Sequence, residues 1–133
     1  MRYMLLQNYG EVESGCPPMS EWTQAEINAH IAFQIALNAE LAQTGELVDA
    51  QGLAGPQEAR FVVWDGTGVP VVTDGPFPEA KELLAGYRLV DVENAERAIE
   101  IAARASAAPA VGGKPIMQAI EVRQVLSAPD PDL

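Results

Sequence analysis

Residues 87–106, YRLVDVENAERAIEIAARAS, change period halfway along. YRLVDV (87–92) is a short aromatic and aliphatic run that reads as a strand. From Asn94, a good N-cap, NAERAIEIAARAS (94–106) continues as an amphipathic helix in which Ala95, Ala98, Ile99 and Ala102 recur at helical spacing. A strand feeding a helix is half of a βαβ unit, so a further strand should follow. It does, after the flexible loop APAVGGKP (108–115): MQAIEVRQVL (117–126) has strand alternation. Ile120, Val122 and Leu126 fall on one side, expected to meet the helices, and Glu121, Arg123 and Val125 on the other.

The first half repeats this plan. RYMLLQNY (2–9) is a strand bounded by Gly10, and a loop with Gly15, Pro17 and Pro18 follows. A helix is expected from about Glu21 to Thr44, with Ser20 as N-cap, Glu21 and Glu26 at its positive end, and Gly45 as terminator. Ile27, His30, Ile31, Phe33, Ile35, Leu37 and Leu41 span an arc of roughly 200° on it, about twice what one sheet needs. That excess predicts a second contact, with another copy of the chain. ELVDAQGL (46–53) is the next strand. ARFVVWDGTGVPVVTDG (59–75) is a hairpin whose Asp65-Gly66 pair and Gly68 supply positive φ, and EAKELLAG (79–86) reads as one or two helical turns.

With the hairpin set aside, the order is strand, helix, strand, strand, helix, strand. Two right-handed units of this kind give an α+β, ferredoxin-like split βαβ sandwich of the dimeric α/β-barrel type, with an antiparallel sheet, both helices on one face and an extra β-hairpin. One domain is expected over residues 1–126, with a disordered tail over 127–133. The sheet face without helices is left for a partner or a ligand.

Composition narrows the function classes. The 133 residues carry 19 acidic and 8 basic side chains, a net charge of −11. Such a chain repels phosphate backbones and anionic lipid, which argues against nucleic acid and membrane partners. No apolar run is long enough for a membrane span and MRYMLLQNYG lacks the form of a signal peptide, so the cytoplasm is the expected location. One cysteine (Cys16) and one histidine (His30) exclude an internal disulfide and the common zinc patterns, so neither metal nor cofactor is expected.

VVTDGPFPEAKELLAGY (71–87) is the most distinctive stretch. With GELVDAQGL before it, DVENAERAIEIAARASAAP after it and IEVRQV at the end, it resembles the DGPF-type branch of the YCII-related superfamily, over nearly the whole span from Ile31 to Leu126. The resemblance implies a homodimer of the fold just described, with a cavity between sheets or at the subunit interface. Some superfamily members use a His-Asp pair to eliminate from or isomerise small cyclic substrates. The histidine of that pattern lies on the first helix, as His30 does. The aspartate lies in an Asp-Pro step after the second helix, which here reads Ala107-Ala108-Pro109.

The candidate site follows from these residues. His30 is either a hydrogen-bonded interface residue or a general base, the role imidazole suits at neutral pH. Asp74 would orient it; alternatively its carboxylate caps the turn made by Gly75 and Pro76. Glu79, Lys81 and Glu82 follow that turn at helical spacing, as proton-transfer groups or as a solvated face. Arg123, beside Glu121, either forms a cross-strand ion pair or holds a substrate carboxylate or enolate, and Tyr87 adds a hydrogen bond at the wall. Trp22 and Trp64 are expected to pack. Three functions are compatible: a cofactor-free lyase or isomerase acting on a small organic acid or lactone by proton abstraction; a non-catalytic metabolite-binding or regulatory dimer, a role the resemblance links to sigma-factor systems; and a purely structural dimer.

Overall fold

The computed structural model describes residues 1–9, 16–17, 19–75 and 83–127. Its elements, in chain order, are β1 (Arg2–Tyr9), α1 (Gln24–Gln43), β2 (Leu47–Gly52), β3 (Arg60–Val63), β4 (Val71–Asp74), β5 (Leu83–Asp91), α2 (Ala95–Ser106) and β6 (Ile120–Gln124). Four strands form an antiparallel sheet in the order β2-β5-β1-β6, and β3 and β4 pair only with each other. Each βαβ half thus leaves a gap of one strand that the other half fills. This is the α+β ferredoxin-like arrangement with an inserted hairpin.

Strand alternation decides what faces the helices. Tyr3 and Leu5 of β1 and Val90 of β5 point inward, where they meet Leu37 and Leu41 of α1 and Ala98, Ile101, Ala102 and Ala105 of α2. Ile120 and Val122 pack against this core, as their alternation predicted. Leu5, Leu37, Leu41, Val90 and Ile101 are fully buried; burial of each leucine or isoleucine stabilises by about 2–3 kcal/mol. The opposite sheet face, free of helices, carries Met4 opposite Leu89 and Leu6 opposite Tyr87 at its centre.

Several boundaries differ from the sequence reading. α1 starts later because Thr23, not Ser20, is its N-cap. The Thr23 side chain accepts from the Glu26 N–H at 3.2 Å and the Glu26 carboxylate accepts from the Thr23 N–H at 2.8 Å, a reciprocal capping box. Met19–Glu21 is a 3-10 turn ahead of it. Gly45 ends the helix with φ of 79°, as expected, and Gly66 and Gly68 take the positive φ the hairpin needs. Asn94 caps α2 by accepting from the Arg97 N–H. The buried stripe of α2 runs through Ile101 and Ala105, leaving Ile99 57% exposed. Leu83–Gly86 belong to β5 rather than to a helical turn, since Leu83, Leu84 and Gly86 pair with β1 and Gly86 also with β2; residues 79–82 lie outside the described residues. Leu126 lies beyond β6 and is exposed. Of the expected tail, only Ser127 is described.

The hairpin glycines separate by cause. Gly75 does not have positive φ. What excludes a side chain there is Phe61, whose ring carbon Cε2 would lie 2.1 Å from a Cβ on Gly75. Trp64 is 56% exposed instead of packed, its Nε1–H donating to the carbonyls of Thr67 and Gly68. Trp22 is buried, as expected.

Candidate functional site

The candidate site lies under α1. Residues four apart on a helix share a face, so His30, Gln34 and Asn38 form a polar file along α1 within its apolar arc. On β5 the inward phase that carries Val90 also carries Arg88, which lies opposite this file. The guanidinium donates from Nε to Asn38 Oδ1 at 2.8 Å and from Nη2 to Gln34 Oε1. The Gln34 amide lies 3.3 Å from His30 Nε2, and His30 Nδ1 lies 2.9 Å from the carbonyl oxygen of Pro109. Trp22 packs edge-on against the imidazole, ring centres 5.4 Å apart.

The protons in this chain follow from what each end can do. A guanidinium only donates, so the Gln34 oxygen faces Arg88 and its NH2 faces His30. A carbonyl only accepts, so Nδ1 of His30 carries the hydrogen. Nε2 then holds the lone pair that receives the Gln34 N–H. In this arrangement Nδ1 faces the Pro109 carbonyl and Nε2 lies on the Gln34 and Arg88 side.

Arg88 is the only buried charged residue among those described, at 5% exposure. Burial costs a charge several kcal/mol unless it is well compensated. Its partners here are two neutral amides, and no carboxylate pairs with it among the described residues. Burial accordingly pulls the guanidinium pKa below its ordinary value, but arginine stays charged at any physiological pH.

A cleft of about 240 Å³ opens onto this group. Gln7 and Arg88 line it from the sheet and His30, Gln34 and Asn38 from α1, and Gly52 and Gly86 form part of its floor where β2 meets β5. The loop after α2 reaches the cleft residues through the Pro109 carbonyl at His30. It is held by a bridge between Pro109 and Pro115, by a 3-10 turn at Val111–Gly113, and by the Gly112 N–H donating to the Glu26 carboxylate at 2.7 Å. Glu26 therefore caps α1 and anchors the loop that presents Pro109 to His30. The two hydrogen bonds from backbone N–H groups hold its pKa below the usual carboxylate range.

The sequence-derived candidates separate. His30 lines the cleft. Tyr87 borders it from β5, but its side chain follows Leu89 to the helix-free face, where its hydroxyl donates to Asp49 Oδ2 at 2.7 Å. Asp74 ends β4 with its side chain 89% exposed, its ion-pair partner being Arg60 across the hairpin at 3.5 Å. It does not reach His30, whose Nδ1 partner is the Pro109 carbonyl. Glu121 and Arg123 are exposed on the sheet face opposite the helices, in register with Leu6 and Met4. Of the two alternatives for Arg123, the cross-strand ion pair is not formed among the described residues, and Arg123 and His30 share no hydrogen bond. Glu79, Lys81 and Glu82 lie outside the described residues. Gln34, Asn38 and Arg88 were missed. Their signals were a polar residue at every fourth position inside an apolar arc, and an arginine in phase with a buried valine.

Among the described residues no group of histidine, cysteine, aspartate and glutamate is arranged to hold a metal ion. No described helix is long and apolar enough to cross a membrane.

Fold and cleft together define a ferredoxin-like α+β protein with a polar pocket beneath its first helix. The chain belongs to the YCII-related family, whose domain description matches residues 1–125. It is also 30% identical over 83 residues to an uncharacterized protein of Rhizobium meliloti (strain 1021). That match covers 62% of this chain and 66% of the relative, just under two thirds of the relative's length.

Proposed function

We propose that the protein binds a small organic molecule in the cleft beneath α1 and moves a proton to or from it through Nε2 of His30, without a cofactor. The observation that carries this reading is the Nδ1–H bond to the Pro109 carbonyl. It fixes the tautomer whose basic nitrogen borders the cleft, the role a carboxylate plays in other catalytic histidines. The Ala108-Pro109 step supplies through its backbone the acceptor that the resemblance expected from an aspartate. A lyase or isomerase working by proton abstraction needs such a base and a site small enough to orient the C–H bond.

The same reading includes a homodimer. Ile31 and Ile35 of α1 are 48% and 64% exposed, and the helix-free sheet face is apolar at its centre. A second copy would cover such surfaces. Light scattering is expected to give about twice 14.2 kDa; a monomer at micromolar concentration would remove the dimer from the proposal.

The test of the chemistry is solvent-deuterium exchange into a panel of small acids and lactones. Exchange at an acidic C–H should be catalysed by the wild type and fall by about 100-fold or more in His30→Ala. Equal exchange in the two proteins would refute the assignment. A metabolite-binding role without turnover is the second reading, and the amides of Gln7, Gln34 and Asn38 around the cleft favour it. It predicts ligand-dependent thermal stabilisation with no exchange.

A further inference from the structure

We propose that the Gln34 amide occupies the place of a ligand's carboxylate and neighbouring hydroxyl, and that the cleft takes small 2-hydroxy carboxylic acids. The inference rests on the reading that the cleft binds a small organic molecule, and it names the chemical class.

Three observations converge. Arg88 is buried with a full positive charge and only neutral oxygen partners, so an incoming anion gains more from it than either amide does. No buried side-chain nitrogen among the described residues lacks a hydrogen-bond partner. Among the described residues Nη1 of Arg88 forms no such bond, which leaves it to the solvent of the cleft that Arg88 lines. Lastly, one primary amide bridges Arg88 and His30, its oxygen towards the guanidinium and its N–H towards Nε2. A group that displaces it must present an acceptor to Arg88 and a proton donor to His30 from atoms as close together as the two ends of an amide.

A 2-hydroxy carboxylate has that pattern. Its carboxylate pairs with Arg88, one oxygen on Nη2 and the other on Nη1, and the adjacent hydroxyl donates to Nε2 of His30. Gln34 swings aside as the ligand enters. The cleft volume, about 240 Å³, suits an acid of a few carbons. A simple carboxylate leaves Nε2 without a donor, and an amide leaves Arg88 without an anion. Arg88 is then the anion-holding residue, the role the sequence suggested for Arg123.

The chain's one histidine makes the test direct, because its imidazole signal in NMR belongs to His30 without assignment. Full-length protein is titrated at constant pH with lactate, propionate and lactamide. Lactate should give a saturable shift of that signal, and propionate and lactamide should bind about tenfold more weakly or worse. Gln34→Glu places an internal carboxylate against Arg88 in the same position. That variant should fold at least as well and lose about tenfold or more in lactate affinity, whereas Gln34→Ala should keep or improve it. No saturable shift with lactate, equal affinity for lactamide, or unchanged lactate affinity in Gln34→Glu each overturns the proposal. Lactate binding without deuterium exchange into any substrate would remove the proton-transfer function and leave this inference standing. Exchange on uncharged lactones without lactate binding would do the reverse.

Discussion

Gly86→Ala tests whether the cleft floor is held by backbone approach. Gly86 pairs with Gly52 where β5 meets β2. A Cβ on Gly86 would lie 2.9 Å from the carbonyl oxygen of Gln51 and 3.3 Å from the Cα of Gly52. Both atoms are backbone, so no side-chain rotation relieves the contact. The end of β2 must move by several tenths of an ångström, against the hydrogen bonds that pair it with β5. Overpacking of this kind costs about 1–3 kcal/mol. At roughly 4 °C per kcal/mol for a domain of this size, the melting temperature should fall by about 4–12 °C. Gly52→Ala is the matched control, because a Cβ there meets nothing within 4 Å and the residue has no positive φ. Losing a glycine from the unfolded chain should leave it neutral or stabilised by up to about 1 kcal/mol. Thermal unfolding followed by circular dichroism compares the two. Gly86→Ala melting at or above the Gly52→Ala temperature would refute the packing argument. Gly52→Ala should also crowd the cleft, weakening ligand binding without loss of fold.

The Glu46–Arg97 pair, two bonds of 2.9 Å joining the start of β2 to α2, predicts a pH-dependent variant. Its hydrogen bonds with Arg97 hold the Glu46 carboxyl below its ordinary value. Its stabilisation is therefore complete above the unfolded pKa of about 4.3 and lost as pH falls through the lower folded value. Glu46→Gln should cost about 1 kcal/mol at pH 7, and urea titrations should show the gap to wild type closing below about pH 4; a gap that widens in acid contradicts the assignment. In the hairpin, Gly75→Ala should destabilise by about 1 kcal/mol through the Phe61 ring, and by nothing in a Phe61→Ala background. An equal cost in both backgrounds would place the constraint in the backbone instead.

The sequence carried most of the fold because the fold rests on local signals. The period change at residues 87–106, the glycine at 45 and the alternation of Ile120 and Val122 each act within a few residues, and each found its expected place. Errors arose where two local signals competed. Ser20 and Thr23 are both good N-caps, and only Thr23 has a glutamate three residues on that closes the box. LLAG (83–86) has helical propensity, but continuing β5 pairs it with β1, and at Gly86 with β2 as well. Tertiary pairing overrides propensity in such a segment.

The site was less legible because it is made of contacts between distant parts of the chain. His30 and Pro109 are 79 residues apart, and Gln34 and Arg88 are 54 apart. Alternation along β6 placed Arg123 on the face without helices, and it lies there, whereas His30 faces the cleft beneath α1, so the two expected partners sit on opposite sides of the sheet. Arg88 shares the phase of Val90, and an arginine at an apolar position is the stronger sign. A charge kept where burial penalises it needs compensation, and compensation by neutral amides leaves capacity for an anion. The histidine repeats this logic. It draws its orientation from a backbone carbonyl, and that carbonyl is held by a loop that Glu26 ties to the start of the same helix. The helix cap, the loop after α2 and the tautomer of His30 are thus one connected structure. A change in the cap at Glu26 should reach the cleft through Pro109, before it reaches the core beneath Leu37 and Leu41.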